Sequence, residues 1–279
     1  MAHLHWDARP ELHQPVVIAA FEGWNDAGEA ATSALRYLIE QWGADSFAWI
    51  DPEEFYDFTS TRPTVRMIGE HERVIDWPEN RFHVSTGVDQ VDVVLVRGIE
   101  PQLRWRTFSE QVLDVATALD ARLVLTLGAL LADVPHTRPT AVFGTSYDPV
   151  VVDALRLEPS RYEGPTGIVG VLHDACRTRG INSASLWATV PSYVASAPSP
   201  KAALALVERV GGMLGIGVPI GDLLEAAADY EQQITDLVSE DEDTVAYVHH
   251  LEEQQDREER DVDNVADLVA EVERFLREQ

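Results

Sequence analysis

Short apolar runs alternate along the chain with stretches in which apolar residues recur at helical spacing, and this alternation predicts an α/β fold. The clearest boundary lies in Pro15 to Gly28, PVVIAAFEGWNDAG. Val16 to Phe21 is short and partly β-branched, which suits a strand buried on both faces. Glu22, Gly23, Trp24 and Asn25 break the run, and Asp26 is placed to cap a helix reaching about Gln41. Ala30, Ala34, Leu35, Leu38 and Ile39 fall on one face of that helix, and Gly43 supplies a stop. A strand, a tight turn and a helix opening make a crevice at the strand end, where open α/β sheets place their ligands.

The same reading extends to the rest of the chain. Residues 1–14 read as a polar leader without regular structure, 15–218 as an α/β domain, and 219–279 as an acidic helical extension. Phe47–Ile50 is a strand, and Val65–Ile68, Arg73–Ile75 and Phe82–Val84 suggest a small antiparallel excursion. Val91–Val96 and Arg122–Leu127 are central strands joined by a helix over Leu103–Leu119, which implies parallel pairing through a right-handed crossover. After Gly128 comes a loop holding Pro135, His136, Arg138 and Pro139, then a short strand around Ala141–Phe143. Helices are expected over Pro149–Leu155 and Ile168–Thr178, with a strand over Ala184–Val190. Ser199 caps a helix over Lys201–Leu214, with Pro200 in its first turn. Leu223, Leu224, Ala227, Tyr230, Ile234, Leu237 and Val238 recur at helical spacing, as do Val262, Val265, Leu268, Val269, Val272, Phe275 and Leu276, with a polar linking stretch between.

Charge narrows the function classes. The formal net charge is −27, and the segment from Ile220 to Gln279 holds 20 acidic residues against four arginines. That excess argues against binding a phosphate backbone, which needs clustered cations, so no nucleic-acid partner is expected. No apolar run is long enough to span a bilayer, and Met1 to Pro15 lacks the pattern of a signal peptide, so no membrane partner is expected and the location is read as cytoplasmic. The single cysteine, Cys176, excludes an internal disulfide framework and sits in a helical pattern as a small apolar residue. Lys201 is the only lysine. The sequence holds no phosphate-binding glycine loop, no nucleophile elbow and no zinc-binding histidine pair, and no cofactor or metal is predicted.

Three loops concentrate the candidate chemistry. They are Glu22-Gly23-Trp24-Asn25-Asp26, Pro135-His136-Thr137-Arg138-Pro139 and Glu163-Gly164-Pro165-Thr166-Gly167, with Tyr193 just past a strand end. If they share one crevice, Glu22, Asp26 and Glu163 supply carboxylates, His136 a base and Arg138 an anion clamp, while Thr166 and free amides at a helix opening hold an anion. The other reading is turn chemistry: glycines for positive φ, Asp26 and Thr166 as caps, and Arg138 in a structural ion pair.

VVIAAFEGWNDAG, GIEP, LGALLADVPHTRP, YEGPTGIVG and PSYVASAPSP, in this order between about Pro15 and Leu214, resemble the proteasome assembly chaperone 2 family, and most closely its bacterial, actinobacterial-type branch. The resemblance implies a three-layer α/β/α fold with a mixed, mainly parallel sheet, similar to phosphorylase/hydrolase-like proteins, plus C-terminal helices. It also implies protein partners of a proteasome-related kind, since eukaryotic relatives pair up and escort proteasome α subunits into rings, and assembly into homo-oligomers. It transfers no catalytic residues. The expectation is a non-enzymatic assembly or scaffold factor whose acidic extension either packs on the body or captures a partner. Removing everything after Gly221 is then expected to abolish capture and leave the body folded. The alternative is an enzyme or binder of small molecules or peptides working through Trp24, Asp26, His136, Arg138 and Glu163.

Overall fold

The computed structural model describes residues 3–69 and 71–277, with side chains described through 258 and at 260. In chain order the strands are β1 (Leu4–Trp6), β2 (Val16–Glu22), β3 (Asp45–Ile50), β4 (Thr64–Ile68), β5 (Glu72–Asp76), β6 (Asn80–Val88), β7 (Val91–Ile99), β8 (Leu123–Ala132), β9 (Val142–Ser146), β10 (Glu158–Pro159) and β11 (Ser183–Pro191). The helices are α1 (Ala30–Gln41), α2 (Trp105–Ala118), α3 (Pro149–Leu155), α4 (Ile168–Arg179), α5 (Pro200–Leu214), α6 (Gly221–Val238) and α7 (Glu242–Arg277). Among the described residues, nine strands form one mixed sheet in the order β1-β3-β6-β7-β2-β8-β11-β9-β10, and β4 pairs only with β5. The central four strands, β7-β2-β8-β11, are parallel.

Strand β2 shows why the pattern folds this way. Its alternate residues enter two separate cores: Val16, Ile18 and Ala20 on one face, Val17, Ala19 and Phe21 on the other. Helices α1 and α5 cover the first face and α2 and α4 the second, giving three layers. Ser199 caps α5 as expected, accepting from the Ala202 amide at 3.3 Å. Helix α6 adds Leu223 and Ala227 to the first core. Below it, Tyr230, Ile234 and Val238 pack with Val194 and with Val248 of α7.

Four expectations need correction. Leu4–Trp6 is an edge strand on β3, with Leu4 and Trp6 turned toward the core and the His5 ring stacked on Trp49 at 4.3 Å, so this part of the leader is regular. Phe82–Val84 belongs to β6 in the main sheet, and only β4 and β5 form a separate hairpin. Strand β8 continues through Gly128 to Ala132. The glycine marks a close approach, since a Cβ there would lie 2.6 Å from the Trp187 ring. The polar stretch after Asp241 is the start of α7, capped by Asp241, which accepts from the Thr244 amide at 3.2 Å. The apolar repeat from Val262 to Leu276 lies outside the described side chains.

Candidate functional site

The first loop turns at the C-terminal end of β2. Gly23 takes a φ of +128°, and Trp24, 64% exposed, stands at the rim of a cavity of about 970 Å³. Glu22 accepts from Arg97 at 2.9 Å. Asn25 is buried, and its side chain donates to Glu100 at 3.0 Å. Asp26 turns away from the cavity. Gly28 and Glu29 both take positive φ, so α1 begins only at Ala30. The Asp26 carboxylate accepts from the amides of Ala31 at 2.7 Å and Thr32 at 3.3 Å and from the Thr32 hydroxyl. Burial raises its pKa above 3.8 despite those bonds.

The third loop shares that cavity. Pro165 and Thr166 line it, whereas Glu163 is exposed and does not. Gly164 has a φ of +155° and lies over the Tyr162 ring, whose hydroxyl donates to the Pro165 carbonyl at 2.9 Å. The helix opening is already served by an anion of the chain itself, because Glu100 accepts from the Ile168 amide at 2.8 Å. Glu100, just past the end of β7, fastens the first loop to the start of α4, a role visible beforehand only as part of the GIEP motif.

The second loop lies elsewhere. His136, Arg138, Ser199, Lys201 and Tyr230 line a separate cavity of about 540 Å³ closed by Leu251 and Gln255 of α7. Arg138 grips Asp256 with two bonds, Nε to Oδ1 at 2.8 Å and Nη2 to Oδ2 at 3.0 Å, and meets Glu252 at 3.3 Å. Its guanidinium holds the Asp256 carboxyl below the usual carboxylate range. Thr137 donates to Glu252. The Lys201 ammonium donates to the His136 carbonyl at 2.5 Å and pairs with Glu231 of α6.

His136 is 2% exposed and bonded at both ring nitrogens. Its Nδ1 lies 2.7 Å from the Tyr193 hydroxyl and its Nε2 3.0 Å from the Thr235 hydroxyl. The Tyr193 oxygen accepts from the His136 amide, so its proton goes to Nδ1. The Thr235 proton goes to the Glu231 carbonyl at 2.8 Å, so Nε2 carries the ring proton. Burial and nearby Lys201 lower the His136 pKa, in keeping with a neutral ring. The structure therefore brings the first and third loops to one cavity, places the second beneath α6 and α7, and engages its polar groups there. Among the described residues, no cluster of histidine, cysteine, aspartate or glutamate could hold a metal ion.

A model of the PAC2 family matches residues 20–238. The chain belongs to the PAC2 family. Among solved PAC2 structures, one from Streptomyces avermitilis is 46% identical, covering 84% of this chain and 99% of its own, with a TM-score of 0.79. A Mycobacterium tuberculosis proteasome-assembly chaperone homologue is 44% identical over 84% of this chain and 99% of its own, with a TM-score of 0.76. The archaeal proteasome activator PbaB of Pyrococcus furiosus shares the fold at 19% identity, with a TM-score of 0.68 over 85% of this chain and 99% of its own. No protein among those with curated descriptions matches. The PAC2 match ends at Val238, the last residue of α6, so α6 lies inside it and α7 beyond it.

Proposed function

We propose that this PAC2 chain is a non-enzymatic assembly factor that acts in the cytoplasm through protein–protein contacts, with a proteasome-related protein as partner. The observation that carries this reading is the β4–β5 hairpin. Two-stranded hairpins are marginal alone in water, yet among the described residues this one pairs with no other strand and leaves apolar side chains in solvent. Its register sets Val65 opposite Ile75 and Met67 opposite Arg73 on one face. Val65, Met67 and Ile75 are 62%, 50% and 51% exposed, and Trp77 follows at 47%. Apolar groups gathered on a projecting element and rimmed by charge mark an interaction surface.

Three further observations support the reading. The titratable groups of the first two loops serve internal bonds: Glu22 with Arg97, Asp26 with α1, His136 with Tyr193 and Thr235, Arg138 with α7. The net charge of −27 favours a partner with a basic contact face, with association slowed by salt. The family's homologues include one whose name is proteasome-assembly chaperone homologue.

Sedimentation velocity with recombinant proteasome α subunits of the same organism tests the proposal. The full chain is expected to comigrate with them. The Val65→Asp/Ile75→Asp double variant is expected to bind at least about tenfold more weakly. Both positions are exposed, so its thermal stability should stay within about 1 kcal/mol of the parent. Equal binding by the double variant would overturn the assignment of the hairpin, and absence of any complex would overturn the partner.

A further inference from the structure

The floor of the 970 Å³ cavity comes from none of the three loops, which supply only part of its rim and walls. Strand register places Thr126 of β8, Ser185 of β11 and Thr145 of β9 side by side, a row of three hydroxyls across the sheet. One step further along, the same register sets Gly128, Trp187 and Phe143 in the next row on that face. The bare Gly128 leaves room for the Trp187 ring to lie flat over the sheet, its atoms 2.6 Å from where a Cβ would stand. A polar strip thus borders an aromatic platform. Helix α4 forms one wall with Val169, Gly170 and His173, and Tyr162 with Pro165 forms another.

His173 reaches down to the hydroxyl row. Its Nε2 lies 2.9 Å from Ser185 Oγ and 2.9 Å from Thr126 Oγ1. One imidazole nitrogen offers a single lone pair or a single proton, so it satisfies one hydroxyl well and leaves the other with spare capacity. Thr126 is fully buried, whereas Ser185, 5% exposed, lines the cavity. Whichever of the two bonds His173, the hydroxyl of Ser185 is the one that borders the cavity, and its remaining lone pairs face whatever enters. The walls carry no buried ionised group to match a charged guest. Glu158 and Arg161 are exposed at the rim and opposite in sign, and full burial pushes the His173 imidazole down to about 4, keeping it neutral.

We propose that this cavity is a binding site for an uncharged, planar aromatic small molecule, stacked on Trp187 and Phe143 with a hydrogen-bonding ring atom turned to Ser185 and Thr145. An anion meets no cation on the floor, and the chain as a whole repels it. A cation meets no buried carboxylate there. A purely aliphatic guest leaves the hydroxyl row unmet. The volume lies in the range that encloses a small organic ligand. The site stands on the sheet face under α4 and owes nothing to the hairpin, so it holds or fails independently of the assembly reading.

Calorimetry and saturation-transfer NMR on the full chain, with indole as probe, test the site. Indole is expected to bind with a Kd below about 1 mM. Its anionic and cationic analogues, indole-3-acetate and tryptamine, are expected to bind at least about tenfold more weakly. Phe143→Ala/Tyr162→Ala removes two exposed rings, leaves the core untouched, and is expected to weaken indole about tenfold. Ser185→Ala is expected to weaken it about fivefold. A weaker Kd for the parent chain, equal binding of the three probes, or unchanged binding in the folded double variant would overturn the proposal. Tighter binding of N-acetyl-tryptophanamide than of indole would overturn it too, in favour of a docked protein segment.

Discussion

A chain ended at Val218 is expected to lose cooperative thermal unfolding, whereas one ended at Asp241 keeps it with a lower Tm. The sequence invites the opposite expectation for the first truncation, because an acidic helical tail looks detachable. The structure makes α6 part of the body. Leu223 and Ala227 belong to the core beneath α1 and α5, and Tyr37 donates to the Pro219 carbonyl at 2.7 Å. Lys201 reaches from α5 to Glu231, and the His136 ring ends on Thr235. Removing α6 uncovers this apolar surface and leaves the His136 ring nitrogen without its partner. Part of that loss is offset by the chain entropy no longer spent on ordering the helix. What remains is on the order of 5 kcal/mol, comparable with the whole stability of many domains. Ending the chain at Asp241 removes the buried Val248 and Leu251 and the grip on Arg138, a loss of about 2 kcal/mol. Differential scanning calorimetry of the two truncations against the full chain decides it. Two equally cooperative truncations would mean that α6 is an appendage after all.

The second large effect belongs to Asp26, and its direction depends on the replacement. Asp26→Ala leaves the Ala31 and Thr32 amides and the Thr32 hydroxyl unbonded in a buried place, a loss of about 3 kcal/mol. Asp26→Asn keeps an oxygen for the two amides and presents its amide group to the Thr32 hydroxyl oxygen, so its stability at pH 7 should lie within about 1 kcal/mol of the parent. The charge itself works against folding. The folded carboxyl titrates above its ordinary 3.8, with burial as the largest cause, so the folded state holds this proton to higher pH than the unfolded state. The Asp26 contribution to stability is therefore full below pH 3.8 and is lost as pH rises through the folded pKa. The Asn variant lacks this slope. Urea denaturation of the three proteins at pH 7 and near pH 3.8 separates the cases, and an Asn variant as damaged as the Ala variant at pH 7 would show that the ionised carboxylate is required.

Legibility in the sequence followed the distance over which residues meet. The capped α5 and the β4–β5 hairpin rest on contacts between neighbours close in the chain, and β2, whose partners β7 and β8 lie far off, was legible because its own unbroken apolar run records burial on both faces. Arg138 was readable as an anion binder, but its anion lies 118 residues further on, and nothing local pairs it with Asp256. The same limit hid the row of Thr126, Ser185 and Thr145, which exists only once three strands are in register. Gly128 misled for a related reason: as a stop it is ordinary turn chemistry, and only the Trp187 ring across the sheet shows why it sits inside a strand. His173 carried no signal, since within α4 it falls among small and apolar residues and its partners come from two other strands. β1 was too short to register as a strand and is recognisable by its partner Trp49 more than by its own three residues.

Hydrogen exchange read by mass spectrometry on the full chain, with and without proteasome α subunits, tests the central claim most directly. In the free chain the β4–β5 amides should exchange fast, because among the described residues the hairpin pairs with no third strand and its own residues are mostly exposed. Protection concentrated on residues 64–76 when the α subunits are added is the result expected of an assembly factor that works through this hairpin. An unchanged hairpin, with protection confined to the strand-end cavity around Trp24 and Tyr162 or absent altogether, would contradict it.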